Sequence, residues 1–178
     1  MAFEASPVTH GRFAGENETI EYLNLALSDK PGTVSLNIRV DEQGALRSDG
    51  RASLLQRTSS VDVAPVRIPC TTLDSFFADH EFQSASLWID VEGATGQVVT
   101  GGKTVLNKAS VLMVEVEDRS FWKGQWLVDQ VLFFLHDCGL VPVARDHQSA
   151  HQFNVVLVRS TLMAEVHELI SPEAAHGG

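Results

Sequence analysis

Hydrophobic and polar positions along the chain predict strands that alternate with helices. Residues 87–91 and 111–116 are short apolar runs of the kind found in buried strands. Residues 33–40 alternate with a period of two, which is typical of a half-exposed antiparallel strand. Residues 126–138 instead repeat their apolar positions at helical spacing, so they predict an amphipathic helix that ends at Gly139.

The complete pattern predicts an α/β fold with a mostly parallel sheet and right-handed crossovers. The predicted strands are residues 20–27, 33–40, 61–68, 87–91, 111–116, 140–144 and 154–158. The predicted helices are residues 8–14, 72–77, 95–107, 126–138 and 161–170. Thr72 is a candidate N-cap, and Pro65 favours a sheet edge for its strand. We expect one domain over residues 1–170, a polar loop over 41–60 and a flexible tail over 171–178.

Composition and charge narrow the classes of partner. A chain of 178 residues with 44% hydrophobic residues can bury a core, and its net charge of −10 disfavours nucleic acid and anionic membranes as partners. Cys70 and Cys138 are too few for a zinc or disulfide framework, so they indicate buried thiols in a reducing cytoplasm. The sequence has no apolar run of the roughly 20 residues that a membrane helix needs.

Acidic residues follow both of the buried strands. Asp90 and Glu92 follow residues 87–91, and Glu115 and Glu117 end the next strand. Because ligands of α/β proteins bind at the carboxyl ends of strands, these acids predict a site for a cationic or hydroxyl-rich ligand. An equally weighted interpretation is that they cap helices or face water, and we expect Glu117 to be an exposed charge at the strand end.

Several short motifs, in order and over nearly the whole chain, resemble the FkbM-type methyltransferases. They are residues 3–7 (FEASP), 24–29 (NLALSD) with Gly32, 72–74 (TLD) and, most specifically, 89–94 (IDVEGA). The resemblance implies a Rossmann-like class I methyltransferase sheet with extra antiparallel strands, and S-adenosylmethionine as the cofactor. Two positions depart from the family signature, because Thr95 stands for its final Glu and Trp88 for its frequent Lys.

The family's glycine-rich turn, which holds the methionine part of the cofactor, is not found before residue 3. The resemblance therefore implies that the sheet lacks its first central strand, so that the two neighbouring strands either pair directly or expose their edges. The favoured interpretation is a truncated gene model. The alternatives are that another chain or segment fills the gap in the sheet, or that the protein is a relic. An unpaired inner edge would also favour a homodimer.

The resemblance also implies roles for individual residues. Glu4 would bind the ribose of the cofactor, while Ser28 and Asp29 would lie on its adenine side; a solvated Glu4 and an ordinary turn at 28–29 are the alternatives. Asp90 would lie near the transferred methyl group and Glu92 near the acceptor, and one of the two would take the hydroxyl proton. Three acids on two strands fall short of a metal signature, so we predict no metal.

Substrate contacts are predicted at the remaining polar and aromatic positions of the same end, which are Glu115, Trp122, His147, His151 and Asn154. For Trp122 and Trp126, packing at a helix start is the favoured alternative to a sugar-stacking platform. For the histidines the favoured alternative is an ordinary surface position.

The sequence thus predicts an O-methyltransferase that acts on a hydroxyl of a small molecule or glycan. A catalytically silent remnant or interaction module is one alternative, and a sugar-binding domain is another.

Overall fold

Helices and strands alternate in the computed structural model, which describes residues 1–16 and 18–170. The strands are β1 (Ala2–Phe3), β2 (Tyr22–Leu23), β3 (Ala26–Leu27), β4 (Gly32–Arg39), β5 (Val63–Thr71), β6 (Ala85–Ile89), β7 (Ala109–Glu117), β8 (Leu140–Arg145) and β9 (Gln152–Arg159). The helices are α1 (Pro7–Phe13), α2 (Leu73–Phe76), α3 (Thr95–Thr100), α4 (Lys103–Leu106), α5 (Val128–Asp137) and α6 (Met163–Ile170). This confirms the α/β class, whereas the predicted tail, 171–178, lies outside the described residues.

A four-stranded sheet in the order β6-β7-β9-β8 forms the centre of the molecule. Strands β6 and β7 are parallel, but β9 is antiparallel to both β7 and β8. The prediction of a mostly parallel sheet is therefore wrong; the sheet is mixed, and it is compatible with a Rossmann-like fold. The reason is that β8 and β9 form a hairpin, with the polar loop 146–151 between them, and a hairpin must pair its strands antiparallel.

Two smaller sheets, β1-β2 and β3-β5-β4, lie beside the central one. The single strand predicted at 20–27 is two short strands in different sheets, because the chain leaves the strand conformation at Asn24. The Asn24 side-chain amide donates to the carbonyl oxygens of Glu4 and Ala5, at 2.9 and 3.2 Å, and so stabilises the break.

Pro65 lies in β5, the middle strand of its sheet, so the predicted edge position is wrong. Proline is nevertheless accommodated, because β3 pairs only with Cys70 and Thr71. At Pro65 the strand therefore has its β4 partner, Asn37, on one side and no ladder partner from β3 on the other.

The main core lies between the central sheet and helices α3, α4 and α5. Its most buried members include Leu112, Leu135, Leu140 and Leu157. The single helix predicted at 95–107 is split at Gly101, where a side chain would collide with the Ser28 carbonyl oxygen at 2.1 Å. The second half, α4, starts anew because the Asp74 carboxylate accepts hydrogen bonds from the Thr104 and Val105 amides, each at 2.9 Å.

Local signals read from the sequence are confirmed at both kinds of helix end. The Thr72 side chain accepts from the Ser75 amide as an N-cap, and Gly139 has a φ of +77° directly after α5. Cys70 and Cys138 are buried and free. Within the described ranges, no helix combines the length and the apolar character that crossing a membrane requires.

Strands β1 and β6 do not pair with each other but lie in separate sheets. A cavity of about 710 Å³ is lined by residues 1–3 and by residues 84–91. Because consecutive residues of β6 line it, the cavity runs along the edge of the strand and not only over one face. The exposed-edge outcome is thus the one observed, and this open space reaches Asp90.

Candidate functional site at the strand ends

The carboxyl end of β6 turns sharply through two left-handed residues, Glu92 with φ +46° and Gly93 with φ +82°. Glycine is required at 93, because a Cβ there would lie 2.1 Å from Cδ1 of Trp122. The Ser53 hydroxyl donates to the Glu92 carbonyl oxygen at 2.6 Å, so the long polar loop is tied to this turn. The turn aims Asp90 and Glu92 towards the neighbouring strand β7.

Strand pairing brings the predicted acids together. Ile89 is opposite Val114 in the parallel register, so Asp90, the next residue, follows alongside Glu115. One carboxylate oxygen each from Asp90, Glu92 and Glu115 all lie within 4.8 Å of one another. Glu117, two residues further along β7, has its side chain on the same face as Glu115.

Glu117 is only 1% exposed, so the prediction of an exposed charge at this strand end is wrong. It is covered by the loop after β7, from which the Gln125 side-chain amide donates to Glu117 Oε2 at 3.0 Å. Strand position alone gave no sign of this cover, because the covering residue lies in a loop.

Two glutamines orient the acids of β7. Gln152 Nε2 donates to Glu115 Oε1 at 2.8 Å. Gln125 Oε1 accepts from the backbone amides of Phe121 and Trp122 at 2.7 and 2.8 Å, which leaves its amino group to face Glu117. Sequence reasoning assigned no role to either glutamine. Position 152 had a usable signal, because it starts the strand that pairs with β7, whereas Gln125 had none.

Burial, and after it the charges of neighbouring acids, raises the pKa values of the glutamates in the cluster. Burial, and next to it the negative charge of Asp90, raises the pKa of Glu115 to about 8 and that of Glu92 to about 7. Burial and then the charge of Glu92 raise the pKa of Glu117 to about 7. The cluster therefore binds and releases protons near neutral pH, as a general acid or base must.

Glu4 and Asp90 line one cavity of about 120 Å³. Apolar side chains form much of its remaining wall, namely those of Leu25, Leu27, Leu36 and Leu54. Glu4 Oε1 accepts a hydrogen bond from the Ser6 amide at 2.7 Å, and burial raises the pKa of this carboxyl. Phe3, Leu27, Asp90 and Val91 also line the wide cavity between β1 and β6, so the two spaces adjoin.

Ser28 and Asp29 do not line this cavity. Ser28 is buried with its carbonyl oxygen against Gly101, and its hydroxyl donates to Asp29 Oδ1 at 3.2 Å. These contacts match the alternative interpretation, in which the two residues form a turn. Their predicted place on the adenine side stays a prediction.

Both tryptophans have the packing positions that were favoured over a stacking platform. Trp122 is 3% exposed, with its ring against Gly93 and the Arg57 guanidinium 4.8 Å from the ring centroid. Trp126 packs against Gly96. Both tryptophans pack closely because the two glycines let the backbone approach the rings, and Trp122 as a substrate contact stays a prediction.

The other predicted substrate residues divide into two groups. Glu115 belongs to the acid cluster, and the buried Asn154 is opposite it on β9, with its side-chain amide donating to Asp146 Oδ2 at 2.8 Å. His151 Nδ1 lies 2.9 Å from Asp118 Oδ1 at the end of β7, whereas His147 is exposed in the loop.

Comparison with known proteins decides the family. The sequence model described as "Methyltransferase FkbM domain" matches residues 1–141. The chain belongs to the FkbM methyltransferase family. The family match includes β6, its turn and β7, so the acid cluster of this FkbM protein lies entirely within the matched residues.

The chain is also similar to a curated protein that is named as a methyltransferase. The FkbM protein is 24% identical over 152 residues to "2-O-methyltransferase NoeI" from Sinorhizobium fredii (strain NBRC 101917 / NGR234), across 79% of this chain. The chain spans 63% of the length of that relative. No solved structure matches the chain.

Proposed function

We propose that this protein is an S-adenosylmethionine-dependent O-methyltransferase that acts on a hydroxyl group of a small molecule or glycan. Its family membership supports a methyltransferase-like function, and the printed name of its curated relative supports oxygen as the acceptor atom. The observation that carries the proposal is that Glu4 and Asp90, from two different sheets, line one cavity beside the acid cluster.

The residues of this cavity fit the cofactor. Glu4 uses Oε1 for the Ser6 amide, and its second carboxylate oxygen suits a ribose hydroxyl. The leucine side chains offer an apolar wall for an adenine ring. When bound, S-adenosylmethionine supplies an electrophilic methyl group.

The chain's own contribution to methyl transfer is positioning and proton uptake. Asp90 and Glu92 line the cavity, where they can hold an acceptor hydroxyl. The proton of that hydroxyl passes to the carboxyl cluster, whose pKa values of about 7 and about 8 lie near neutral pH. Holding donor and acceptor in line supplies the rest of the acceleration.

Calorimetric titration of the full chain with S-adenosylhomocysteine tests the proposal. We expect saturable binding with one site per chain. A folded protein, verified by circular dichroism, that gives no heat at millimolar ligand would refute the proposal for this chain.

Replacing Glu4 with Gln is expected to weaken S-adenosylhomocysteine binding about 10- to 100-fold, because a charge-assisted hydrogen bond contributes about 1.5–3 kcal/mol. Glutamine keeps the size of the side chain and its acceptor for the Ser6 amide. The measurement is the dissociation constant by calorimetry, with Glu21→Gln, an exposed acid before β2, as the matched control. Equal affinities for wild type and Glu4→Gln would remove Glu4 from the cofactor site.

A second candidate, a silent remnant or interaction module, is favoured by one observation, the cavity of about 710 Å³ along the unpaired edge of β6. Because this open cavity adjoins the proposed cofactor cavity, a bound cofactor would lack protein contacts on that side. The same titration separates the candidates, because a remnant gives no heat with the cofactor product.

A further inference from the structure

We propose that Asp90, Glu92 and Glu115 form a binding site for a hard divalent cation, next to the buried carboxyl of Glu117. This differs from the metal-free site that the sequence predicted. The reason for the difference is tertiary, since the acids come from two strands that only the sheet register brings together.

The spacing of the three carboxylates suits a cation with oxygen ligands. Their ligand atoms lie within 4.8 Å of one another. Two oxygens on opposite sides of Ca²⁺ are about 5 Å apart, and two on opposite sides of Mg²⁺ about 4 Å apart. Because no two of these oxygens are more than 4.8 Å apart, their spacing is compatible with three ligands around one Ca²⁺, Mg²⁺ or Mn²⁺ ion.

An orphaned oxygen points to the same ligand independently of this spacing. Glu117 is 1% exposed, and its Oε1 has no hydrogen-bond partner among the described residues. Gln125 donates to the other oxygen, and the charges of Glu92 and Asp90 act on Glu117, so this carboxyl belongs to the surroundings of the cluster. A buried acceptor without a donor is rare, and a cation is a partner that satisfies it.

A second buried oxygen is in the same situation. Asn154 lies opposite Glu115 on the neighbouring strand, and its Oδ1 also lacks a partner in the described part of the chain. Opposite residues of an antiparallel pair project from the same face of the sheet. The face that carries the acids thus presents oxygen acceptors in excess of donors.

Protein cations offset the charge of the cluster only in part. The ion pairs Arg39–Asp49 and His151–Asp118 in the described part of the chain include no member of the cluster. Arg57 and Arg51 act electrostatically on Glu92, and Arg57 also lies over the Trp122 ring. Several acids packed together without a paired cation repel one another, and a bound divalent ion removes that repulsion.

The cation would have a way in and a role. Asp90 is exposed and Glu92 half-buried where both line the cavity, so a hydrated ion can reach them from that side. If the proposed methyl transfer holds, an acceptor hydroxyl would complete the coordination, and the cation would hold it in place beside the methyl donor. Binding of the cation itself does not depend on that reaction.

The test titrates chelator-treated, cofactor-free full-length protein with Mn²⁺, Ca²⁺ and Mg²⁺, read by calorimetry and, for Mn²⁺, by electron paramagnetic resonance. We expect one site per chain with a dissociation constant of about 1 mM or tighter for at least one of the ions. Glu115→Gln, which keeps the hydrogen bond from Gln152, is expected to weaken binding about tenfold or more. Glu42→Gln, in the exposed loop, is the matched control and should leave binding unchanged.

Two results would overturn the proposal: no saturable binding of any of the three ions at 5 mM, or equal affinity of wild type and Glu115→Gln while circular dichroism shows both folded. Weakening by Asp90→Asn as well would support it. Because the metal titration contains no cofactor, a failure to bind metal would not affect the S-adenosylhomocysteine result. A failure to bind S-adenosylhomocysteine would likewise not affect the metal result.

Discussion

Replacing Glu115 with Gln is expected to stabilise the protein more at pH 8 than at pH 5, by about 2 kcal/mol or about 4–8 °C in Tm. Burial, together with the charge of Asp90, raises the pKa of Glu115 from 4.5 to about 8. In the unfolded chain this carboxyl loses its proton at ordinary pH, whereas in the folded protein it keeps the proton until about pH 8.

The direction of the effect follows from proton linkage. Between the unfolded pKa near 4.5 and the folded pKa of about 8, the folded state binds more protons. Stability therefore falls as pH rises through this window, and it is fully retained only below the window. Glutamine carries no charge, so the variant does not lose this stability. Because the neighbouring carboxyls share the change in charge, we expect about 2 kcal/mol, which is less than the full shift of 1.36 kcal/mol per pKa unit.

Thermal unfolding at pH 5 and pH 8, with a chelator present, measures this effect. Glu165→Gln, an exposed acid on α6, is the matched control, and its change in Tm should be the same at both pH values. A Glu115→Gln variant that loses stability on going from pH 5 to pH 8 as steeply as the wild type would contradict the assigned acidity.

Replacing Gly93 with Ala is expected to destabilise the protein by about 3 kcal/mol or more. Two costs add at this position. The backbone φ of +82° is left-handed, which costs a non-glycine residue about 1–2 kcal/mol. The new Cβ would also lie 2.1 Å from the Trp122 ring, and overpacking of this kind typically costs about 1–3 kcal/mol.

Gly124→Ala is the matched control for Gly93→Ala. Gly124 has a similar φ of +75°, but nothing lies within 4 Å of the place its Cβ would take. We therefore expect a loss of about 1 kcal/mol there, from the backbone alone. Urea unfolding gives both free energies, and equal losses at the two positions would show that the contact of Trp122 with Gly93 is not a tight one.

The same comparison bears on the site. Gly93 directly follows Glu92, a member of the acid cluster. Displacement of Trp122 would also disturb Gln125, because the Gln125 side chain accepts from the Trp122 amide and donates to Glu117. The added methyl group of Gly93→Ala would therefore change both the backbone turn after β6 and the contact between Gln125 and Glu117.

Local signals in the sequence predicted most elements within a few residues. The Thr72 cap, the glycine after α5 and the apolar runs of β6 and β7 each depend on neighbouring residues only, so their physical meaning is readable without the fold. The family could be identified in the same way, because each of its motifs, such as residues 89–94, is contiguous in the chain. The errors lie where distant segments meet, as at Pro65, at Glu117 and in the direction of β9.

The sequence by itself determined the α/β class, the family and the acidic character of the strand ends, since periodicity, capping and motifs are set by residues close in the chain. Only the tertiary structure decided that β9 runs antiparallel to β7 and that Asp90, Glu92 and Glu115 meet within 4.8 Å. It alone decided the burial of Glu117 beneath Gln125. The reason is physical: pairing register and loop cover result from contacts between segments far apart in the chain, and these leave no periodic trace in either segment.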